Sequence, residues 1–178
     1  QRQIMKLVSY ISGGKEKVGI FYTGKIYNLK DNAQAAEIYD MAETMADFLQ
    51  KGEKAMQEAK QIEQLIRFND QRMKAETVNE SALLAPVPHP TSCRDGYAFR
   101  QHVEAARRNR KVPMIAEFDQ YPIFYFTNHN AVQGPGDIHC MPDHFHKLDF
   151  ELEVSIVIGK KGRNVKAAEA DQYIAGYM

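Results

Sequence analysis

The chain has 178 residues, room for one large domain or one and a half. Twenty-three basic residues balance 23 acidic ones, which argues against a general nucleic-acid binder or a membrane-surface binder, since both carry a basic excess. No apolar run approaches the ~20 residues of a membrane helix, the first ten residues lack a signal-peptide core, and two cysteines, Cys93 and Cys140, make no disulfide framework, so a reducing cytoplasm is the expected compartment.

Met5 reads as a natural start, with residues 1–4 a short extension ahead of it. Residues 5–29 read as a three-stranded meander: "KLVSYI", a Gly-containing turn, "VGIFY", the turn "TGK", and "IYNL". Asp31 or Asn32 is the expected N-cap of a helix over about 33–49, where Ile38, Met41, Ala42, Met45, Phe48 and Leu49 recur at helical spacing. Gly52 interrupts. A second helix is predicted over about 53–73, with Ala55, Ala59, Ile62, Leu65, Ile66 and Met73 facing inward as core.

"LLAPVPHP", residues 83–90, stops any helix and favours extended chain, so it marks a linker or the entry to a second domain. The expected domains are therefore 1–82 and 83–178. "DGYAFRQHVEAARR" reads as a helix entered near Asp95, "YPIFYF" (121–126) as an aromatic strand, and "QGPGD" (133–137) as a turn. A long strand over 148–158 follows, then the turn "GKKGRN". Asn164 is a candidate cap for a last helix, "VKAAEADQYIA", and Gly176 stops it.

The strand over 148–158 holds the most chemistry. Alternate side chains share a face. Leu148, Phe150, Leu152, Val154, Ile156 and Ile158 form an apolar face expected to enter a core. Asp149, Glu151, Glu153, Ser155 and Val157 form the other. Acids at every second position suit either a solvated sheet face or a hard-cation site, where an ion removes their mutual repulsion. Upstream, Asp95 and His102 stand seven residues apart, about two helical turns. That spacing fits a helix cap beside an ordinary exposed histidine. It also fits a metal ligand beside an imidazole that activates water.

With both segments in view, the sequence resembles the fumarylacetoacetate hydrolase family. The resemblance rests on "DGYAFRQHVEAARR" (95–108), "PIFYFTNHNAVQGPGD" (122–137) and "LDFELEVSIVIGK" (148–160), and spans roughly residues 83–178. The last segment follows the family's D-[FY]-E-x-E strand. The resemblance implies an α+β or mostly-β protein, with a small N-terminal domain of strands and two helices ahead of part of a mixed β-roll. It implies a magnesium or calcium ion, with manganese an alternative, held by Asp95, Glu151 and Glu153. His102 matches the water-activating base, and Tyr97 and Tyr125 fall where substrate-contacting tyrosines are expected. The implied reaction cleaves a carbon–carbon bond of a 1,3-diketo acid, fumarylacetoacetate-like or acylpyruvate-like, as in aromatic amino acid catabolism. A homodimer is the implied assembly. A decarboxylase, hydratase or isomerase on the same metal scaffold, or a catalytically silent metal-binding protein, are the alternatives.

Departures accompany the resemblance. "YFTNHN" puts bulk where the family has glycines. The family's substrate-binding arginine has no certain counterpart; Lys111 is nearest in register, beside Arg107, Arg108 and Arg110, a cluster that reads equally as a solvated helix end. The fourth acidic ligand and the catalytic lysine of the family are expected past Met178. "HCMPDHFH" (139–146) is rich in zinc-type ligands but matches no common spacing, leaving a structural zinc or a plain surface loop. "QGPGD" and "GKKGR" lack the strand–loop–helix setting of phosphate loops and read as turns. Cys93 has no context for a nucleophile and is expected to be buried.

Overall fold

A computed structural model describes residues 4–178; residues 1–3, most of the expected N-terminal extension, lie outside the described part. The chain is α+β, as expected. Its residues fall into two compact units. One combines the chain up to Pro88 with Gln133–Met178, and the other is His89–Val132.

In the first unit, β1 (Leu7–Ser12), β2 (Lys15–Tyr22) and β3 (Lys25–Asn28) form an antiparallel meander in the order β1-β2-β3. Both hairpin loops have two residues with positive φ, Gly13 and Gly14 in the first, Thr23 and Gly24 in the second. That geometry matches the right-handed twist of the strands it joins.

The single helix predicted over 33–49 is instead two short ones. Helix α1 (Leu29–Ala33) is capped by Asn28, whose side chain accepts from the Asp31 amide. A 3₁₀ turn follows, and Glu37 adopts the left-handed conformation (φ 59°), which ends it. Helix α2 (Met45–Lys51) starts afresh at Thr44, whose hydroxyl accepts from the Asp47 amide while the Asp47 carboxylate accepts from the Glu43 amide. Two local caps outcompete one continuous helix because each satisfies amides a helix start leaves open.

Helix α3 (Glu53–Arg67) ends about six residues before the predicted 73, at Phe68 and a left-handed Asn69. Its stripe Ala55, Ala59, Ile62 and Ile66 is buried, as the periodicity required. This stripe packs with Val18, Ile20, Leu29, Met41, Met45 and Phe48 into the main core. Two polar groups tie the incoming chain to it. Asn32 exchanges hydrogen bonds with the Lys74 backbone, accepting from its amide at 2.7 Å and donating to its carbonyl at 3.0 Å. The Tyr10 hydroxyl donates to Glu76 and accepts from Asn28, and burial pushes its ionisation well above the usual tyrosine range.

The proline-rich stretch forms no helix beyond Ala82: Leu83 is extended and bridges to Tyr10, and residues 86–89 bend. It does not hang free: the Leu84 amide donates to Ser9, the Ser9 hydroxyl donates to Pro86, and Ala85 and Val87 are buried. Further on, β6 (Ile156–Ile158) pairs antiparallel with β7 (Ile174–Tyr177). The last helix is 3₁₀ rather than α, spans Ala167–Tyr173, and begins after Lys166, not Asn164, which takes a left-handed φ of 55°. The final strand accordingly starts at Ile174, before Gly176.

In the second unit, β4 (Arg94–Gly96) pairs antiparallel with β5 (Phe124–Phe126), and α4 (Arg100–Asn109) lies between them in sequence. Val103 is its buried apolar residue among those described. Cys93, expected inside, is exposed, because a two-stranded ribbon with one helix encloses little interior.

Ile62→Ala should lower the free energy of unfolding by about 3 kcal/mol, through lost burial and the cavity left behind. Lys60→Ala on the exposed face of α3 should change it by less than about 0.5 kcal/mol. Urea denaturation followed by far-ultraviolet ellipticity measures both.

Candidate functional site

Asp95 is not on a helix. It is the central residue of β4 and lies directly opposite Tyr125 of β5. The two-turn helical spacing between Asp95 and His102 therefore does not apply. Backbone pairing of 94–96 with 124–126 takes precedence, and α4 begins only at Arg100. The Tyr125 hydroxyl donates to the Asp95 carboxylate at 2.5 Å, within the range of a charge-assisted O–H···O⁻ bond. On the opposite face of the ribbon, the Arg94 guanidinium stacks over Phe126 at 4.8 Å and Phe124 at 5.4 Å. The two side-chain layers hold the ribbon from both faces.

His102 is the third residue of α4 and is exposed. Its ring lies 6.4 Å from that of Tyr97, tilted by 57°. Two predicted site residues thus come together at the start of this helix, with an imidazole open to solvent. Arg100 is held by Glu104 one turn on and by Asp119, which raise its already high basicity. Lys111 ends α4 in the left-handed conformation (φ 56°), its amide donating to Arg108 while that of Val112 donates to Arg107. The Arg107 guanidinium donates to the Pro113 carbonyl. At least one of the basic cluster thus serves the helix end rather than a ligand.

Glu151 and Glu153 lie in the first unit. Each offers a carboxylate oxygen within 4.8 Å of the other, so the two-residue spacing does bring them together. Both are exposed. No lysine or arginine among the described residues forms an ion pair with either, nor with Asp95. Adjacent like charges without a protein cation suit a divalent ion, and oxygen-only donors suit a hard one.

The backbone around them departs from expectation. Of the strand predicted over 148–158, only Ile156–Ile158 is paired as strand, with a further mutual pair of hydrogen bonds between Ser155 and Met178. Phe150, Leu152 and Val154 are 84%, 95% and 79% exposed, so this apolar face does not enter a core. Val157, from the acid-bearing face, packs partly against the main core instead. A strand forms only where a neighbour accepts its backbone groups. Among the described residues, β7 does so only at this end.

The ligand-type side chains of "HCMPDHFH" do not converge into a metal-binding group among the described residues. The close Asp95–Tyr125 pair was not visible in the sequence as a hydrogen bond, because 30 residues separate the partners.

Comparison with known proteins agrees with this fold. A fumarylacetoacetate hydrolase from psychrophilic Exiguobacterium antarcticum superimposes with a TM-score of 0.57 at 20% identity, covering 98% of this chain and 54% of that one. The description "Fumarylacetoacetate (FAA) hydrolase C-terminal" matches residues 91–178. Residues 91–178 belong to the fumarylacetoacetate hydrolase family. Among curated relatives, the mitochondrial oxaloacetate tautomerase Fahd2a of Rattus norvegicus is 29% identical over 139 residues, 77% of this chain and 40% of that protein. The mitochondrial oxaloacetate tautomerase fahd2 of Xenopus laevis is 30% identical over 135 residues, 75% of this chain and 38% of that protein. The chain spans about 40% of the length of the curated relatives it matches. No helix among the described residues is long and apolar enough to cross a membrane.

Lys111→Gly should stabilise the protein by about 0.5–1 kcal/mol, because glycine takes the left-handed conformation without steric cost. A thermal melt detects this as a raised midpoint.

Proposed function

We propose that this chain contributes to a divalent-metal-dependent active site for a small oxo acid, with Asp95, Glu151 and Glu153 as carboxylate ligands. The supporting observation is the paired, uncompensated carboxylates of Glu151 and Glu153 on the segment that most closely follows the family's pattern. The donor set favours magnesium or calcium, with manganese an alternative. Such an ion, when bound, polarises a chelated oxo group and acidifies the carbon beside it.

Two reactions share that chemistry. In the first, the substrate is an oxaloacetate-like diacid, and a proton moves between its carbon and its oxo oxygen. Relatives named as oxaloacetate tautomerases favour this reading. In the second, water cleaves a carbon–carbon bond of a fumarylacetoacetate-like or acylpyruvate-like diketo acid. The exposed imidazole of His102 favours it, since an imidazole can take the proton from attacking water. Tyr97, beside His102, and Lys111, at the end of the same helix, are the proposed contacts to substrate oxygen and carboxylate groups. A decarboxylase or hydratase would use the same ligands. We further propose a homodimer in a reducing compartment, cytoplasmic or, as in the relatives' names, mitochondrial.

Calorimetric titration with magnesium should show uptake by the full chain, and Glu151→Gln should weaken it about tenfold or more. Absence of uptake by folded protein would remove the metal reading. His102→Ala should lower diketo-acid cleavage by about 10²–10⁴-fold if the hydrolase reading holds. Oxaloacetate keto–enol relaxation that survives that change would select the tautomerase.

A further inference from the structure

The family resemblance implies only a substrate contact for Tyr125. From the structure we infer that Tyr125 is a positioning residue for the Asp95 carboxylate, holding it in place before an ion arrives; this rests on Asp95 being a metal ligand, as proposed above.

The geometry is direct. Asp95 and Tyr125 are cross-strand partners in the β4–β5 ribbon, so their side chains project from the same face. The phenol oxygen donates to Oδ2 at 2.5 Å. Asp95 is half-buried and has no lysine or arginine partner among the described residues, so the phenol is the group that restrains its carboxylate. One hydrogen bond to Oδ2 leaves Oδ1 and the remaining lone pairs of Oδ2 available to a cation. It also limits rotation of the carboxylate, so less ordering remains to be done on binding. A phenol suits this task better than a lysine would. It orients the carboxylate without cancelling the negative charge that a cation needs. On the other face, Arg94 stacked over Phe124 and Phe126 keeps β5 in the register that places Tyr125 opposite Asp95.

The test is calorimetric titration of the full chain with Mn²⁺, comparing wild type, Tyr125→Phe and Asp95→Asn, with the melting midpoint of each metal-free protein read on the same samples. Tyr125→Phe should raise the dissociation constant about tenfold, the lower end of the effect of losing a hydrogen bond to a metal ligand, with its midpoint lowered by no more than about 4 °C. Asp95→Asn should raise it further. Wild type that takes up no Mn²⁺ would sink the metal reading itself. Wild type that binds, an Asp95→Asn variant that binds more weakly and a Tyr125→Phe variant that binds like wild type would overturn the positioning role alone. A raised KM for substrate with unchanged Mn²⁺ affinity would then assign Tyr125 to the substrate.

Discussion

Backbone groups must find partners, and that requirement decides where every chemically interesting side chain of this protein is held. Asp95 is held because residues 94–96 pair with 124–126. His102 is held because the next segment satisfies its own amides as a helix. Glu151 and Glu153 sit on a stretch whose ladder is closed only at its C-terminal end, by β7. The degree of backbone pairing thus differs sharply among these residues.

The main core is built differently from the candidate site. Around α3 and the β-meander, apolar burial is dense and the polar groups inside are paired, as with Asn32 on the Lys74 backbone and Tyr10 between Asn28 and Glu76. The ribbon carrying Asp95 has little interior and depends on cross-strand contacts: a phenol on a carboxylate on one face, a guanidinium on two phenyl rings on the other. A dense core tolerates polar chemistry poorly. A small ribbon exposes its side chains to ions and substrates, at the cost of needing specific pair contacts to keep them oriented.

Charge follows the same division. The basic residues near the C-terminus of α4 complement its dipole, and Arg107 also satisfies the Pro113 carbonyl. Among the described residues the acids at 95, 151 and 153 pair with no lysine or arginine; Asp95 accepts instead from the neutral Tyr125 phenol. Carboxylates that the fold does not neutralise for its own stability are the ones free to serve a ligand.

Much was legible in the residue order. The meander and its glycine turns and the buried stripe of α3 could be read from alternation and helical spacing, because each depends on neighbours within a few positions, and the fumarylacetoacetate hydrolase family was legible as a resemblance carried by three short segments. Competition between local signals was less legible: Thr44 starting a new helix and Glu37 ending a turn divide what periodicity joined. Long-range pairing was not legible at all. Whether Asp95 caps a helix or sits in a strand, whether the apolar side of 148–154 is covered, and which hydroxyl restrains Asp95 all depend on partners about 20 or more residues away. Spacing along the chain carries no record of those partners; only the folded backbone, which must satisfy its hydrogen bonds across such distances, brings them together.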